Sequence, residues 1–245
     1  MLLPWFGLDR AVMAAAFEPA LAATDDVRRI YIDLPGTGGS PPAGPSSDAV
    51  LEAVTETVES VIGTAPFLLA GCSYGGYLAA GLARRAPDRI LGLLLVCPGV
   101  KIRRDQRNLS GVLPSTPQPG WLAEVPAELH THFRLGIGRQ TGAVAKRIAK
   151  AFRLNGPTES DYLAALRSAA DPLSDDDSPQ RFDGNVTVIV GKRDRIVGHL
   201  DQLDALVNYP HGSFVALTDA GHYLPFETPK RFRALTLDWL ARADG

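Results

Sequence analysis

The stretch Leu68–Arg85, LLAGCSYGGYLAAGLARR, decides how the chain is read. An apolar run ends in Gly71-Cys72-Ser73-Tyr74-Gly75, and an alanine-rich helical pattern begins at once. The pentapeptide fits G-x-S-x-G, in which a serine occupies a sharp turn between a strand and a helix. The flanking glycines have a steric reason: in so tight a turn any larger side chain runs into neighbouring backbone. The pattern needs a strand before it and a helix after it, and Pro66 to Ala70 and Gly76 to Arg85 supply both. Such a turn lifts the Ser73 hydroxyl clear of the sheet and makes it a candidate nucleophile.

A serine hydroxyl attacks poorly near neutral pH unless a general base lies within reach and an acid orients that base. The chain offers both downstream. Asp194 follows the β-rich run Val186 to Val190, and His222 follows the run Phe214 to Leu217 within Gly221-His222-Tyr223. Ser73, Asp194 and His222 each fall at the C-terminal end of a predicted strand, where parallel sheets gather their chemistry. Asp219, just before the histidine, is the rival acid and reads as a turn residue. Glu227 reads as part of the first turn of the last helix.

Outward from these residues, Arg29 to Leu34 and Ile90 to Val96 read as further strands. They alternate with helical patterns at Ser46 to Ile62, where Ser47 can cap, and from Pro229 onward, where Thr228 can cap. The alternation predicts an α/β fold, a mostly parallel sheet with helices on both faces. It stops between residues 101 and 184, where helices are predicted near Gly120 to Arg134, Gln140 to Arg153 and Thr158 to Ala170. Asp175-Asp176-Asp177 ahead of Pro179 reads as a solvated return linker. Residues 101–184 therefore form a helical insertion, and residues 1–100 and 185–245 form the α/β core. Trp121, Phe133, Phe152 and Tyr162 are the insertion's candidates for lining an apolar substrate pocket.

Four ordered segments resemble the α/β-hydrolase family. They are the G-x-S-x-G turn, the segment Asp33-Leu34-Pro35-Gly36-Thr37-Gly38-Gly39-Ser40, which resembles D-x-x-G-x-G-x-S, Gly191 to Asp194 as G-x-x-D, and the Gly221-His222 pair. The resemblance covers nearly the whole chain apart from its N-terminus. It implies a serine-dependent hydrolase in which Ser73 attacks, His222 shuttles protons and Asp194 orients His222, with the insertion as a helical lid. It further implies that the N–H groups of Tyr74 and Phe6 form the oxyanion hole, with Pro4 and Trp5 standing where the family has His-Gly. The family's first strands are shortened or missing here. Either Met1 is not the natural start, or a very short strand at Met1 to Leu3 suffices.

Composition narrows the partners. With 25 Lys+Arg against 27 Asp+Glu the net charge is −2, so no basic excess favours nucleic acid or an anionic membrane. Cys72 and Cys97 are too few for a disulfide framework and sit in apolar runs, so they read as packed thiols in a reducing compartment. No signal peptide or spanning stretch is recognisable, which predicts a soluble cytoplasmic protein. His130 and His132 would face about 200° apart on a helix and have no third ligand, so no metal is expected. Gly36 to Ser40 lacks the lysine of a phosphate-binding loop and runs into Pro41-Pro42. The expected substrate is a small hydrophobic ester, lactone or thioester, cleaved without a cofactor. A lyase, cyclase or carbon–carbon bond hydrolase on the same fold, or a non-catalytic ligand binder, remain as alternatives.

Overall fold

In the computed structural model, residues 1–22, 24, 27–178 and 181–243 are described. Five strands form one parallel sheet in the order β1 to β5: β1 (Leu2–Leu3), β2 (Phe67–Cys72), β3 (Ile90–Val96), β4 (Asn185–Gly191) and β5 (Gly212–Leu217). Successive side chains of a strand face opposite sides, and two apolar layers result. Leu69, Leu93, Leu95, Val186, Val188 and Val190 face one side. Ala70, Leu94, Val96, Ile189 and Leu217 face the other. The expected short N-terminal strand forms. The expected strand Arg29 to Leu34 does not: it is reduced to a single parallel bridge, Leu2 to Tyr31, with Leu2 N–H donating to Ile30 C=O at 2.9 Å. A two-residue β1 offers its outer neighbour no longer ladder.

From β1 the chain passes through α1 (Arg10–Leu21) to Tyr31 at the sheet edge, then back through α2 (Ser47–Ile62) to β2 on the far side of β1. This reversal beside β1 and β2 is a switch point, and the carboxyl ends of strands flanking one form a crevice. Helix α1 escaped the sequence reading. Asp9 caps it, accepting from Ala11 and Val12 N–H, and it buries Val12, Met13, Ala16, Phe17 and Ala20. Helix α2 is capped by Ser46 rather than Ser47, whose hydroxyl donates instead to Asp171 C=O at 2.7 Å. Helix α3 (Tyr74–Arg85) lies with α2 on one face, and α1 lies with α9 (Pro229–Ala243) on the other, where Phe17 meets Phe232 edge-on at 4.9 Å.

Between β3 and β4 the insertion carries α4 (His130–Gly136), α5 (Gly142–Phe152) and α6 (Ser160–Ala169). The first is shorter than predicted because Pro126 leaves only a 3-10 turn, Ala127–Leu129, ahead of it. The aspartates of the return segment are not simply solvated. Asp175 and Asp176 pair with Arg84 at 3.0 Å each, and Asp176 also accepts from Tyr77 O–H. Pro179, the end of that predicted linker, lies outside the described residues. Beyond β4, α7 (Leu200–Asp204) leads to β5, and α8 (Leu224–Glu227) precedes α9. Glu227 thus ends α8 instead of opening the last helix. Among the described residues no helix is long and apolar enough to cross a membrane.

Candidate active site

The turn between β2 and α3 holds Ser73 at φ 54°, ψ −118°, a conformation L-residues avoid unless their surroundings impose it. Here the imposition is visible. Ser73 N–H donates to Val96 C=O at 3.0 Å, and Ser73 C=O accepts from Tyr77 and Gly99 N–H. A Cβ on Gly71 would lie 2.3 Å from Gly75 O, and one on Gly75 would lie 2.4 Å from the carbonyl oxygens of both Leu3 and Pro4. The short β1 is therefore packed directly against the serine turn. Gly75→Ala is expected to cost about 1–3 kcal/mol through this overpacking, read as a lowered urea midpoint with an unchanged m-value. Ser73 is positioned as the N-cap of α3, yet its side chain makes no capping bond, so the hydroxyl is free for other use.

Asp194 and His222 come together at the ends of β4 and β5. Asp194 is fully buried; its Oδ1 accepts from Ile196 and Val197 N–H at 2.8 and 3.1 Å, and its Oδ2 lies 2.7 Å from His222 Nδ1. Facing an acceptor-only carboxylate, Nδ1 carries the proton and Nε2 keeps a lone pair. Asp219 points elsewhere and pairs with Arg231 at 2.8 Å. Cys97 Sγ also lies within 4.8 Å of the Asp194 and His222 ligand atoms. That trio does not fit a metal: burial keeps the thiol protonated, it donates to Gly221 C=O, and the carboxylate and imidazole are already bonded to each other.

Ser73 and His222 open on one cavity of about 300 Å³, at the low end of small-molecule sites. Trp5, Phe6, Ile102, Leu135, Ile196 and Val197 give it apolar walls. Tyr74 and Phe6, whose N–H groups were expected at the oxyanion, both line it, with their rings edge to face at 5.6 Å. The four insertion aromatics expected in the pocket do not line it. Phe133 is fully buried against Phe152, which backs Tyr223 from behind; Trp121 packs in the core, and the Tyr162 ring sits on Gly36.

Several residues at the site were given another role in the sequence or passed over. His132 lines the cavity and bonds through Nε2 to Tyr223 O–H; the residue keeps solvent exposure, and partial desolvation of its ring first of all holds it below its ordinary value, so it stays neutral around pH 7. Arg104, Arg107 and Arg167 also line the cavity. Glu227 is buried beneath the histidine loop. Its Oε1 accepts from Gly221 N–H at 3.0 Å and its Oε2 from Gly138 and Arg139 N–H at 2.9 and 2.8 Å. His222 N–H in turn donates to Gly136 C=O at 2.6 Å, so the insertion and the histidine loop are stitched together. The signal for Glu227 was faint: a lone acid directly after the apolar run Leu224-Pro225-Phe226.

A parallel sheet with helices on both faces, a strained serine at its centre and a buried Asp–His pair at the neighbouring strand ends define a class of fold and site together. The chain belongs to the alpha/beta hydrolase family, whose sequence profile matches residues 3–235. Among solved structures, an alpha/beta superfamily hydrolase from Oenococcus oeni PSU-1 superposes with a TM-score of 0.90 at 25% identity, covering 100% of this chain and 92% of that one. A thermophilic esterase from Thermogutta terrifontis superposes with a TM-score of 0.74 at 25% identity, over 99% and 89% of the two chains. By sequence, a pimeloyl-[acyl-carrier protein] methyl ester esterase from Shewanella woodyi is 28% identical over 130 residues. That match spans 52% of this chain and 45% of the relative, less than half of its length.

Proposed function

We propose that this hydrolase is a serine esterase acting on small, largely hydrophobic esters, lactones or thioesters, with residues 101–184 as its lid. The observation that carries the reading is that the free Ser73 hydroxyl and the Asp194-bound imidazole of His222 face the same small cavity. Ser73 Oγ attacks the ester carbonyl and His222 Nε2 takes its proton. The tetrahedral oxyanion points to Tyr74 and Phe6 N–H; Tyr74 opens α3, where an N–H has no partner within the helix. As the adduct collapses, the carbonyl–oxygen bond to the leaving group breaks and His222 returns the proton to the departing alkoxide. Water then attacks the acyl-enzyme, its proton passing through His222 back to Ser73, and the acid is released. The esterase names of two similar proteins support the ester as substrate class.

Labelling with a fluorophosphonate probe, followed by peptide mass spectrometry, tests the reading. The expected result is modification at Ser73, none at all in Ser73→Ala and far slower labelling in His222→Ala. A folded, monodisperse protein that takes no label, or takes it equally fast without His222, would overturn the assignment.

A further inference from the structure

The cavity beside Ser73 is charged on one sign only. Three arginines line it, Arg104, Arg107 and Arg167, and among the described residues no Asp or Glu does. All three come from the insertion. They are not equivalent. Arg107 is spent on the wall: its nitrogens donate to the carbonyls of Lys101, Ile102 and Ile196 at 2.9, 2.8 and 2.8 Å. The guanidinium groups of Arg104 and Arg167 have no hydrogen-bond or ion-pair partner among the described residues. Arg167 stands over the face of Phe6, 4.8 Å from its centroid, which fixes its direction by a cation–π contact while leaving its N–H fork open.

Arg104 and Arg167 are solvent-exposed residues, and it is their placement that ties this charge to the cavity. Phe6 is a wall of the cavity and edge-to-face neighbour of Tyr74, the residue after Ser73. The charge of Arg167 also reaches His132 and Tyr223 on the same cavity. With His132 neutral and no carboxylate on the walls among the described residues, the positive field inside comes from arginine. A neutral ester makes no use of this charge; an anionic one answers it with paired, charge-assisted hydrogen bonds.

We infer that the natural substrate carries a carboxylate at the end remote from its reacting ester, and that Arg167, assisted by Arg104, binds it. This rests on the esterase reading above and narrows it from hydrophobic esters to half-esters of dicarboxylic acids or similar acids. The apolar walls take the connecting methylenes, so both features of the cavity are used by one ligand.

The test compares 4-nitrophenyl hydrogen adipate with 4-nitrophenyl hexanoate, which share chain length and leaving group and differ in the terminal carboxylate. The wild-type kcat/KM should favour the charged ester by roughly 10- to 100-fold, the worth of a hydrogen-bonded charge pair. In Arg167→Gln that ratio should collapse toward unity, in Arg104→Gln it should fall by less, and added salt should lower it in the wild type. A wild-type preference for hexanoate, or a ratio indifferent to both substitutions, overturns the inference while leaving the esterase intact. A second readout needs no turnover: adipate should raise the wild-type melting temperature and leave that of Arg167→Gln unmoved. Arg167-dependent adipate binding in a protein that neither labels nor hydrolyses would sink the esterase and keep the anion site, whereas no binding alongside active labelling does the reverse.

Discussion

Asp194→Asn is expected to lower kcat on any ester this protein hydrolyses by about 10⁴-fold, with the fold retained. The size follows from which atoms can rotate. Asp194 Oδ1 accepts from Ile196 and Val197 N–H, so an asparagine keeps its carbonyl oxygen there and turns its amide nitrogen toward His222. That nitrogen donates to Nδ1, which must then accept, and the imidazole proton moves to Nε2. In the proposed mechanism an Nε2–H cannot take the Ser73 hydroxyl proton, so the base is present in the wrong tautomer. Steady-state kinetics with circular dichroism and a melting curve check both halves of the claim. A loss under tenfold in a folded variant would show that another acid orients His222. Asp219→Asn is the internal comparison: Asp219 is held by Arg231 at the surface, and its substitution should leave kcat within about twofold, since exposed pairs contribute little.

The serine turn was legible because its cause is local. Two glycines and a serine between an apolar run and a helical run admit few backbones, and the collisions a Cβ would make at Gly71 and Gly75 show why. Asp194 and His222 were legible through order and strand ends, and parallel pairing in sequence order places them side by side. What depended on direction was lost. Whether an insertion aromatic points into a cavity or away from it is set by how helices dock, and Phe133 and Phe152 turned inward behind Tyr223 instead of lining the cavity. Arg167 lay in an ordinary helical pattern, and only its docking over Phe6 reveals it. His132 was weighed as a metal ligand with His130; the two do diverge, but His132 has a different place, hydrogen-bonded to Tyr223 at the cavity. Helix α1 could have been found: Asp9 and the spacing of Val12, Met13, Ala16, Phe17 and Ala20 are helical signals, obscured by the alanine run and Pro19.

Glu227→Leu is expected to destabilise the protein by about 2–6 kcal/mol, because two buried backbone N–H groups, those of Gly138 and Gly221, and the part-buried one of Arg139 lose their acceptor together. The same change frees the loop that carries His222, so activity should fall before the global melt. Glu227→Gln separates charge from packing. Desolvation by burial is the main cause that pushes the Glu227 carboxyl from 4.5 up to about 7, with nearby Asp194 adding to it, against the pull of its three N–H donors. A raised carboxyl means that the folded state binds the proton more tightly than the unfolded one between these pH values. Stability from this group is therefore full below about pH 4.5 and is lost as pH rises through about 7, by an amount on the order of 3 kcal/mol. Glutamine cannot ionise and should lack that slope. Urea melts of the two proteins from pH 5 to pH 8 should show the largest deficit of Glu227→Gln at the acid end and a narrowing gap toward pH 8. A deficit that stays constant across the range would mean that Glu227 is ionised throughout, its three backbone donors outweighing the cost of burial.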